Sequence, residues 1–288
     1  MADNITILDS AEVEKTVATH EMAGAVHANK QILIDHDGNY TPNYTGLAIA
    51  QGGITGYSSM NKFGENPDID TGTDPEDIWD YGGTYTFSTT ADITQISSSD
   101  NGDNQEITVI GLNSSWEEVT QTKDLTGQTA ATLGTALVRV YRAYNSDSTE
   151  FDGDVYITTT GAGLSSGVPT TANTVRAMIR PEHQQTLMCI YTVPADRTAY
   201  FTSGYVSFSK GKKDATADFA WKARGFGGVF QTKSKIGVSA AGSSAWSYNY
   251  GVPVTLPAKT DVKITCEEVS SDNSGVSGGF DLILVENE

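Results

Sequence analysis

The chain has 288 residues, and its apolar share of 38% and aromatic share of 9% are typical of a folded protein. It carries 36 acidic and 18 basic side chains, which give a net charge of −18 at pH 7. Nucleic-acid backbones and anionic membranes are bound mainly through Lys and Arg, so this balance argues against nucleic acid or a membrane surface as the main partner.

The first residues lack the features of a secretory signal. Met1-Ala2-Asp3-Asn4 contains no basic stretch, and no apolar stretch follows it. No uninterrupted apolar run approaches the roughly 20 residues that span a bilayer. We therefore expect synthesis in a cytoplasm and a protein that stays soluble there.

The segment that follows has the composition of a helix. Asp9 and Glu12 match a helix-capping box, which predicts a helix over Ser10–Ala28. Its apolar residues, which include Met22 and Val26, fall on two faces, whereas a helix that rests on one body shows a single stripe. Two interpretations stay open: a helix packed between two bodies, such as two subunits, or a marginal helix on the surface.

A long connection then runs from Asn29 to Tyr81. It is predicted to have little regular structure, and loops of more than about 15 residues are rare in compact domains unless they are functional or ordered by a partner. Glycines alternate in it with large aromatic side chains, which favour docking onto another molecule. The predicted interface residues are Met22, Val26, Tyr40, Tyr44, Tyr57, Phe63 and Trp79.

Short runs rich in Val, Ile, Thr, Tyr and Phe fill the rest of the chain, separated by Gly, Asn, Asp, Ser or Pro. This pattern predicts strands. The predicted strands are Thr84–Phe87, Glu106–Leu112, Trp116–Thr122, Ala136–Tyr144, Val155–Thr160, Thr174–Ile179, Leu187–Val193, Ala199–Phe208, Ala217–Ala223, Val262–Cys266 and Phe280–Val285. The turn residues Ser209–Asp214 predict a hairpin between two of these strands.

The predicted fold is all-β: one or two antiparallel β-sandwich domains of jelly-roll type behind an N-terminal helix and an extended arm. The Gly/Ser-rich stretch Ala162–Pro169 is the best candidate for an internal hinge. The predicted divisions are residues 1–82 for the helix and docking arm, 83–162 for a first sandwich and 163–288 for a second.

The two cysteines, Cys189 and Cys266, lie in apolar runs that are predicted to be strands. Buried free thiols are the favoured interpretation, because free Cys packs as a small hydrophobe. A disulfide between neighbouring strands is the alternative.

Metal ligands are sparse. The densest acidic stretch, Gly64–Asp77, offers oxygen donors for calcium, but Gly72 stands where an EF-hand loop needs Asp or Asn. Solvated turns, in which Asp and Asn bond their own backbone, are the favoured interpretation. His20 and His27 are seven residues apart, too far for joint ligation on a helix, and His36 and His183 are isolated. We predict no metal site and no cofactor.

No nucleophile elbow, phosphate loop, dinucleotide fingerprint or zinc-protease motif is present, so we predict no catalytic residues. Gly225-Phe226-Gly227-Gly228 is not followed by a predicted helix, and a bend or bulge is favoured over a phosphate site. Carboxylate pairs of glycosidases leave no local trace. Trp116, Trp221 and Trp246 either line a sugar groove or belong to the core.

Several segments resemble virion proteins of tailed bacteriophages, especially phages of aquatic bacteria. The resemblance begins at Phe63–Asp70 and Asp77–Phe87, continues through Leu137–Tyr144 and ends at Gly278–Val285. It covers about three quarters of the chain, from Gly56 onward, and residues 1 to 55 are not part of it.

The resemblance implies a non-enzymatic structural protein of the virion, located on the capsid exterior. The role it implies is that of a capsid cement or decoration protein, bound to the major capsid protein and to itself as a homo-oligomer, commonly a homotrimer. One alternative is a tail, collar or fibre component that acts as an adaptor or binds a receptor. Another is a carbohydrate-binding or hydrolase module.

Overall fold

The computed structural model describes residues 45–73, 75–210, 214–240 and 244–287, together with the backbone of four short strands before residue 29. The chain divides into two compact units, a first unit, Met1–Ser58, and a body, Ser59–Glu288. This division lies before the predicted boundary at residue 82. Among the described residues, no helix is long and apolar enough to cross a membrane.

The regular elements are almost all strands. In chain order they are β1 (Ile5–Leu8), β2 (Glu14–Val17), β3 (His20–Met22), β4 (Val26–Ala28), α1 (Thr45–Ala50), β5 (Tyr57–Ile69), β6 (Glu76–Asp77), β7 (Ile93–Ser98), β8 (Glu106–Leu112), β9 (Glu118–Asp124), β10 (Ala131–Leu137), β11 (Arg139–Asn145), β12 (Val155–Thr159), β13 (Leu164–Ser165), β14 (Val168–Pro169), β15 (Val175–Ile179), β16 (Ile190–Thr192), β17 (Arg197–Lys210), β18 (Ala215–Arg224), β19 (Gln231–Ala240), β20 (Ser244–Leu256), β21 (Asp261–Val269) and β22 (Ser274–Glu286).

The first unit contains two small antiparallel ladders, β1 with β2 and β3 with β4. These strands occupy the described part of Ser10–Ala28, so the predicted helix is wrong there. The β-branched residues Thr16, Val17 and Val26 favour extended backbone, and a capping signal alone does not outweigh them.

Two antiparallel sheets of the body face each other across the larger core. Sheet A has the strand order β20-β17-β22-β5, and sheet B has the order β16-β21-β18-β19, with β6 added beside β21. Phe201 of sheet A lies 4.0 Å from Trp221 of sheet B between ring centroids and stacks on Phe280 of its own sheet at 5.5 Å. All three rings are buried. Each large apolar side chain buried in this way contributes about 1.5–3 kcal/mol to stability.

A β-bulge in β17 changes which of its residues face this core. The pairing of β17 with both neighbours shifts between Phe201 and Ser203. Before the shift, Ala199 and Phe201 are buried; after it, Val206 and Phe208 are buried. The inward positions therefore change from odd to even numbers, as one extra residue in a strand of period two requires.

A second pair of sheets encloses a smaller core. Sheet C has the strand order β10-β7-β12-β15, and sheet D has the order β11-β8-β9. The core between them includes Ile96 of β7, Val109 of β8, Ile157 of β12 and Ile179 of β15. The chain is thus all-β with antiparallel sandwiches, and this part of the fold prediction is confirmed.

The predicted hinge Ala162–Pro169 lies inside this second sandwich. Strands β12 and β15, which flank it, pair with each other in sheet C, and the stretch itself forms the two-stranded ladder β13–β14. Ser97 Oγ of β7 donates a hydrogen bond to the Gly167 carbonyl oxygen at 2.8 Å. The stretch is therefore tied to the sheet, and the predicted boundary between residues 162 and 163 falls within one sandwich.

The predicted hairpin at Ser209–Asp214 is also wrong. Among the described residues, β17 pairs with β20 and β22 in sheet A, whereas β18 pairs with β19 and β21 in sheet B. The turn therefore carries the chain from one sheet to the facing sheet. A turn signal predicts reversal of direction but does not say which strand the next one pairs with.

Candidate binding sites

The predicted interface residues fall into three groups. Tyr40 and Tyr44, and the side chains of Met22 and Val26, lie outside the described residues. Tyr57 is 42% exposed at the start of β5, and Phe63 is half-buried in the same strand. Strand β5 belongs to sheet A, so the predicted arm does not extend unstructured to Tyr81.

Trp79 belongs to the core of the body. It is 3% exposed, and its ring meets Tyr85 edge-on at 5.0 Å between centroids. Its Nε1 donates to the carbonyl oxygen of Gly83 at 3.0 Å. The prediction of Trp79 as a docking anchor is therefore corrected: the ring and its polar atom are both engaged within the body.

The acidic stretch Gly64–Asp77 distributes its carboxylates among different partners. Asp77 Oδ2 pairs with Lys263 Nζ at 2.8 Å in the interior. Glu76 Oε2 accepts from Asn66 Nδ2 at 2.8 Å, and Asp70 Oδ1 accepts from the Asn273 backbone N–H at 2.8 Å. Asp77 and Asp70 therefore bond groups 186 and 203 residues away, and Glu76 and Asp77 are buried, so the interpretation of a solvated turn with local backbone bonds is wrong for these side chains.

Both cysteines are buried and neither forms a disulfide, as the favoured interpretation predicts. Burial raises the pKa of the Cys189 thiol well above its usual range. A thiol of this kind is a poor nucleophile, because the thiolate is the reactive form.

One cluster joins residues that are far apart in sequence. The Glu65, Asp80 and His183 side chains each place one potential ligand atom within 4.8 Å of the other two. His183 Nε2 lies 2.8 Å from Glu65 Oε1, and Arg180 Nε lies 3.6 Å from Asp80 Oδ1. Burial, and then the Glu65 charge, raise the pKa of Asp80 to about 7, against the opposing influence of His183 and Arg180. The Arg180 guanidinium therefore supplies a positive charge beside this cluster.

Lys62 of β5 is a second buried ionisable group. It is 2% exposed, donates to the carbonyl oxygen of Tyr141, and lies 5.9 Å from the centroid of that ring. Burial, and then the Arg142 charge, lower the pKa of Lys62 to about 7. The amine therefore gains or loses its proton near neutral pH, and among the described residues no carboxylate pairs with it.

Two arginines, Arg139 buried and Arg224 partly exposed, are centred on the carboxylate of Asp261. Arg139 makes a bidentate contact with Asp261, with Nε at 2.9 Å from Oδ1 and Nη2 at 3.0 Å from Oδ2. Arg224 Nε donates to the same Oδ2 at 2.8 Å, and Thr192 Oγ1 donates to Oδ1 at 2.5 Å. Bidentate geometry of this kind fixes both partners strongly.

The two guanidinium groups line an open cleft of about 310 Å³. Its other walls include Trp116, whose ring lies 4.9 Å from the Arg139 guanidinium carbon, and Phe226. The Trp116 and Phe226 rings meet at 83° with centroids 5.3 Å apart. Phe226 is 67% exposed in the glycine-rich turn between β18 and β19, where the sequence favoured a bend. We name this feature the Arg–Trp cleft.

Of the three tryptophans that suggested a sugar groove, Trp221 and Trp246 line one pocket together with Tyr250, and Trp116 lies elsewhere. Trp116 lines the Arg–Trp cleft, whereas Trp221 is buried in the core between sheets A and B. Trp246 is half-buried on β20 and stacks on Tyr248 at 5.8 Å with an interplanar angle of 6°. The structure does not bring the three together in one groove.

Strand β20 carries an aromatic row on an edge of sheet A. Trp246, Tyr248 and Tyr250 alternate along the strand and therefore share one face. Tyr248 is 46% exposed and Val252 is 83% exposed. Pro253 and the neighbouring Lys233 and Lys235 of β19 are residues that commonly protect an open edge from further strand pairing.

No protein-family model and no curated protein matches this sequence. Among solved structures, the chain is similar to infectious bursal disease virus, Gx strain, with 12% identity over 81% of this chain and 72% of that chain and a TM-score of 0.23. The VP2 subviral particle of the same virus gives 10% identity, coverage of 81% and 73%, and a TM-score of 0.20. The structure of the Gt strain has 11% identity over 81% of this chain and 77% of that chain, with a TM-score of 0.19. Scores this low carry no argument, so the fold stands on the strand pairing of the chain itself.

Proposed function

We propose that this chain is a non-enzymatic structural protein of a virus particle, a cement or decoration protein on the outside of a tailed-phage head. The major capsid protein would be its partner, and a homo-oligomer, in the simplest case a trimer, would be its working form. The resemblance of Phe63–Asp70, Asp77–Phe87, Leu137–Tyr144 and Gly278–Val285 to virion proteins supports the particle assignment.

The observation that carries the non-enzymatic assignment is how the body uses its buried charges. Each buried charged side chain that the structure describes has at least one hydrogen-bond partner within the protein, although Asp80 Oδ1 has none. They are Lys62, Glu76, Asp77, Asp80, Asp103, Arg139, Arg176, Asp261 and Lys263. Groups held in this way stabilise strands and loops, whereas general acid–base work needs a group that faces substrate.

The division of the chain supports attachment through its N-terminal part. The body is a compact unit with its own cores, and Met1–Ser58 is a separate unit. Tyr40, Tyr44 and the exposed Tyr57 remain the proposed anchors of this unit on the shell. Aromatic side chains are favoured at protein interfaces because they bury a large area at low cost in side-chain entropy.

The test is the copy number of this chain in purified particles, measured by quantitative mass spectrometry against the shell protein. A cement protein is expected at a copy number comparable with that of the shell protein. A copy number as low as that of tail proteins would support the tail, collar or fibre alternative, and absence from particles would overturn the proposal.

A further inference from the structure

Three potential metal ligands converge from both sandwiches of the body. Glu65 lies on β5 of sheet A, Asp80 follows β6, and His183 follows β15 of sheet C. One carboxylate oxygen of Glu65, one of Asp80 and one ring nitrogen of His183 all lie within 4.8 Å of one another. Ligand atoms around a tetrahedral zinc ion are about 3.4 Å apart, because each lies about 2.0–2.2 Å from the metal. Small movements of these side chains therefore bring all three atoms to ligation distance.

The Asp80 carboxylate is the group of this cluster that most needs a further partner. Its side chain is almost fully buried, yet Oδ1 has no hydrogen-bond partner among the described residues. Its backbone is fixed, because the Asp80 N–H donates to the Leu187 carbonyl oxygen at 3.0 Å and Oδ2 accepts from the Leu187 N–H at 3.2 Å. A buried carboxylate oxygen without a partner is costly, and coordination of a cation removes that cost.

The neighbouring Arg180 does not satisfy this oxygen. Its Nη2 donates to the Asp80 carbonyl oxygen at 3.0 Å, but its Nε lies 3.6 Å from Asp80 Oδ1, which is beyond hydrogen-bond distance. The cluster contains two carboxylates, and Arg180 supplies one positive charge beside them. With a neutral His183 imidazole, an excess of one negative charge remains, which favours the binding of a divalent cation.

The ligand atoms favour one class of cation. An imidazole nitrogen is a common ligand of zinc and other transition metals, whereas calcium and magnesium prefer sites made of oxygen atoms. Zinc is often held by three protein ligands of the His, Asp or Glu type, with water in the fourth position. The side chains of Glu65 and His183 are 34% and 25% exposed, so an ion and its water ligand reach the site from solvent.

We propose that Glu65, Asp80 and His183 form a zinc site that links the two sandwiches of the body. The two carboxylates and His183 Nε2 are the protein ligands, and zinc takes the place of the hydrogen bond between His183 Nε2 and Glu65 Oε1, which are 2.8 Å apart. The sequence predicted no metal site, because these ligands converge only in the fold. The site is independent of the attachment of the first unit to a shell, so either proposal can fail without the other.

The experiment uses the full-length protein after a chelator has removed bound metal and dialysis has removed the chelator. Calorimetric titrations with Zn²⁺, Ca²⁺ and Mg²⁺ measure the affinity for each ion, and thermal melts measure stabilisation by zinc. Zinc is expected to bind at least about tenfold more tightly than calcium or magnesium. At a free zinc concentration about 100 times its Kd, the melting temperature is expected to rise by roughly 5 °C or more.

Three variants locate the bound zinc. Glu65→Gln and His183→Gln each remove one ligand at a partly exposed position. Each is expected to weaken zinc binding by about tenfold or more and to abolish the zinc-dependent rise in melting temperature, because even the loss of an outer-shell partner costs about 10–100-fold in metal affinity. Glu182→Gln is the matched control, since it removes the same charge from the exposed residue next to His183. Circular dichroism spectra show that each variant is folded.

The proposal is overturned if zinc does not bind, or if calcium or magnesium binds as tightly as zinc does. It is also overturned if Glu65→Gln and His183→Gln bind zinc as the natural chain does, which would indicate an adventitious ion only. An equal loss of affinity in Glu182→Gln would overturn it as well, because the general negative charge of the surface would then explain the binding.

Discussion

Asp77 and Lys263 form an ion pair in the interior of the body, with Asp77 Oδ2 at 2.8 Å from Lys263 Nζ and both side chains almost fully buried. The pair joins β6 to β21, and Asp77 also accepts from Thr265 Oγ1 and from the Tyr85 N–H, each at 2.8 Å. Through these contacts the segment around Asp77 is fixed to sheet B, although the sequence suggested a docking arm there.

Breaking this pair from one side is expected to destabilise the body strongly. Asp77→Ala leaves a buried ammonium group without a counter-charge, which costs about 3–5 kcal/mol. The double variant Asp77→Ala/Lys263→Met is expected to lose less than the sum of the single variants, because neither charge then remains buried alone. Urea unfolding of the four proteins of this cycle measures the coupling.

The control is the exposed pair of Lys235 and Asp218, whose charged atoms lie 3.2 Å apart. Asp218→Ala is expected to cost no more than about 1 kcal/mol, as exposed ion pairs do. Equal losses for Asp218→Ala and Asp77→Ala, or additive losses in the Asp77–Lys263 cycle, would contradict the buried pair.

Lys62 is expected to make stability rise with pH above neutrality. Its pKa is lowered to about 7 in the folded chain from 10.5, so the unfolded chain binds the proton more tightly between these values. The contribution of Lys62 is therefore least favourable below pH 7 and improves by about 1.4 kcal/mol per pH unit up to pH 10.5. Lys62→Met should raise the melting temperature more at pH 6 than at pH 9. An equal change at both pH values would show that the pKa of Lys62 is not lowered in the folded chain.

Asp80 is expected to make stability fall as pH rises, and to do so at lower pH than the Lys62 effect. Its pKa is raised to about 7 from 3.8, so the folded chain holds a proton that the unfolded chain releases. This contribution is fully present below pH 3.8 and is lost as pH rises to about 7. The melting temperature of Asp80→Asn relative to the natural chain should therefore increase from pH 4.5 to pH 8.

A second variant tests the cause of the Asp80 shift. Glu65→Gln removes a negative charge that raises the pKa of Asp80, so the pH-dependent window should move to lower pH. If the melting temperatures of Asp80→Asn and of the natural chain depend on pH in the same way, Asp80 does not have a raised pKa in the folded chain.

Two glycines offer a matched test of the stretch that resembled a hinge. Both have positive φ, 76° at Gly167 and 80° at Gly161, but a Cβ on Gly167 would lie 1.7 Å from the Ser98 carbonyl oxygen, whereas a Cβ on Gly161 meets nothing within 4 Å. Each alanine costs about 1–2 kcal/mol in backbone strain. Gly167→Ala should cost at least about 2 kcal/mol more, because it also forces β14 away from β7. Equal decreases in melting temperature for the two variants would mean that Ala162–Pro169 does not pack on sheet C.

Strands with continuous β-branched or aromatic composition could be predicted from sequence alone. Glu106–Leu112 is a strand with the predicted bounds, and Val155–Thr160 differs from β12 by one residue. These runs are buried on both faces, so local composition and tertiary environment favour the same structure.

Other strands were missed because their composition is typical of turns. Strand β19 contains Ser234, Gly237 and Ser239, and β5 contains Gly64 and Pro67. A Cβ on Gly64 would lie 2.6 Å from the Cys189 backbone nitrogen, so the glycine allows the close approach of two strands. Conversely, Thr84–Phe87 has strand composition but lies outside the regular strands, and Asp77 satisfies the Tyr85 N–H.

The candidate sites depend on distant residues, which a single sequence does not bring together. Arg139 and Asp261 are 122 residues apart, and His183 and Glu65 are 118 apart. The only local signals of the Arg–Trp cleft were the glycine-rich Gly225–Gly228 turn and Trp116. These two signals indicate a cleft only once the fold places the turns after β8 and β18 side by side.

The measurement that most directly tests the central claim is reconstitution of the proposed attachment. Phage heads stripped of this protein are mixed with the full-length chain or with residues 56–288, which retain the body and β5, and bound protein is quantified after sedimentation. The full-length chain is expected to bind the heads to saturation, and the truncated chain is expected to remain folded but unbound. Failure of the full-length chain to bind, or equal binding of the truncated chain, would contradict the claim that this protein works by attachment through its first unit.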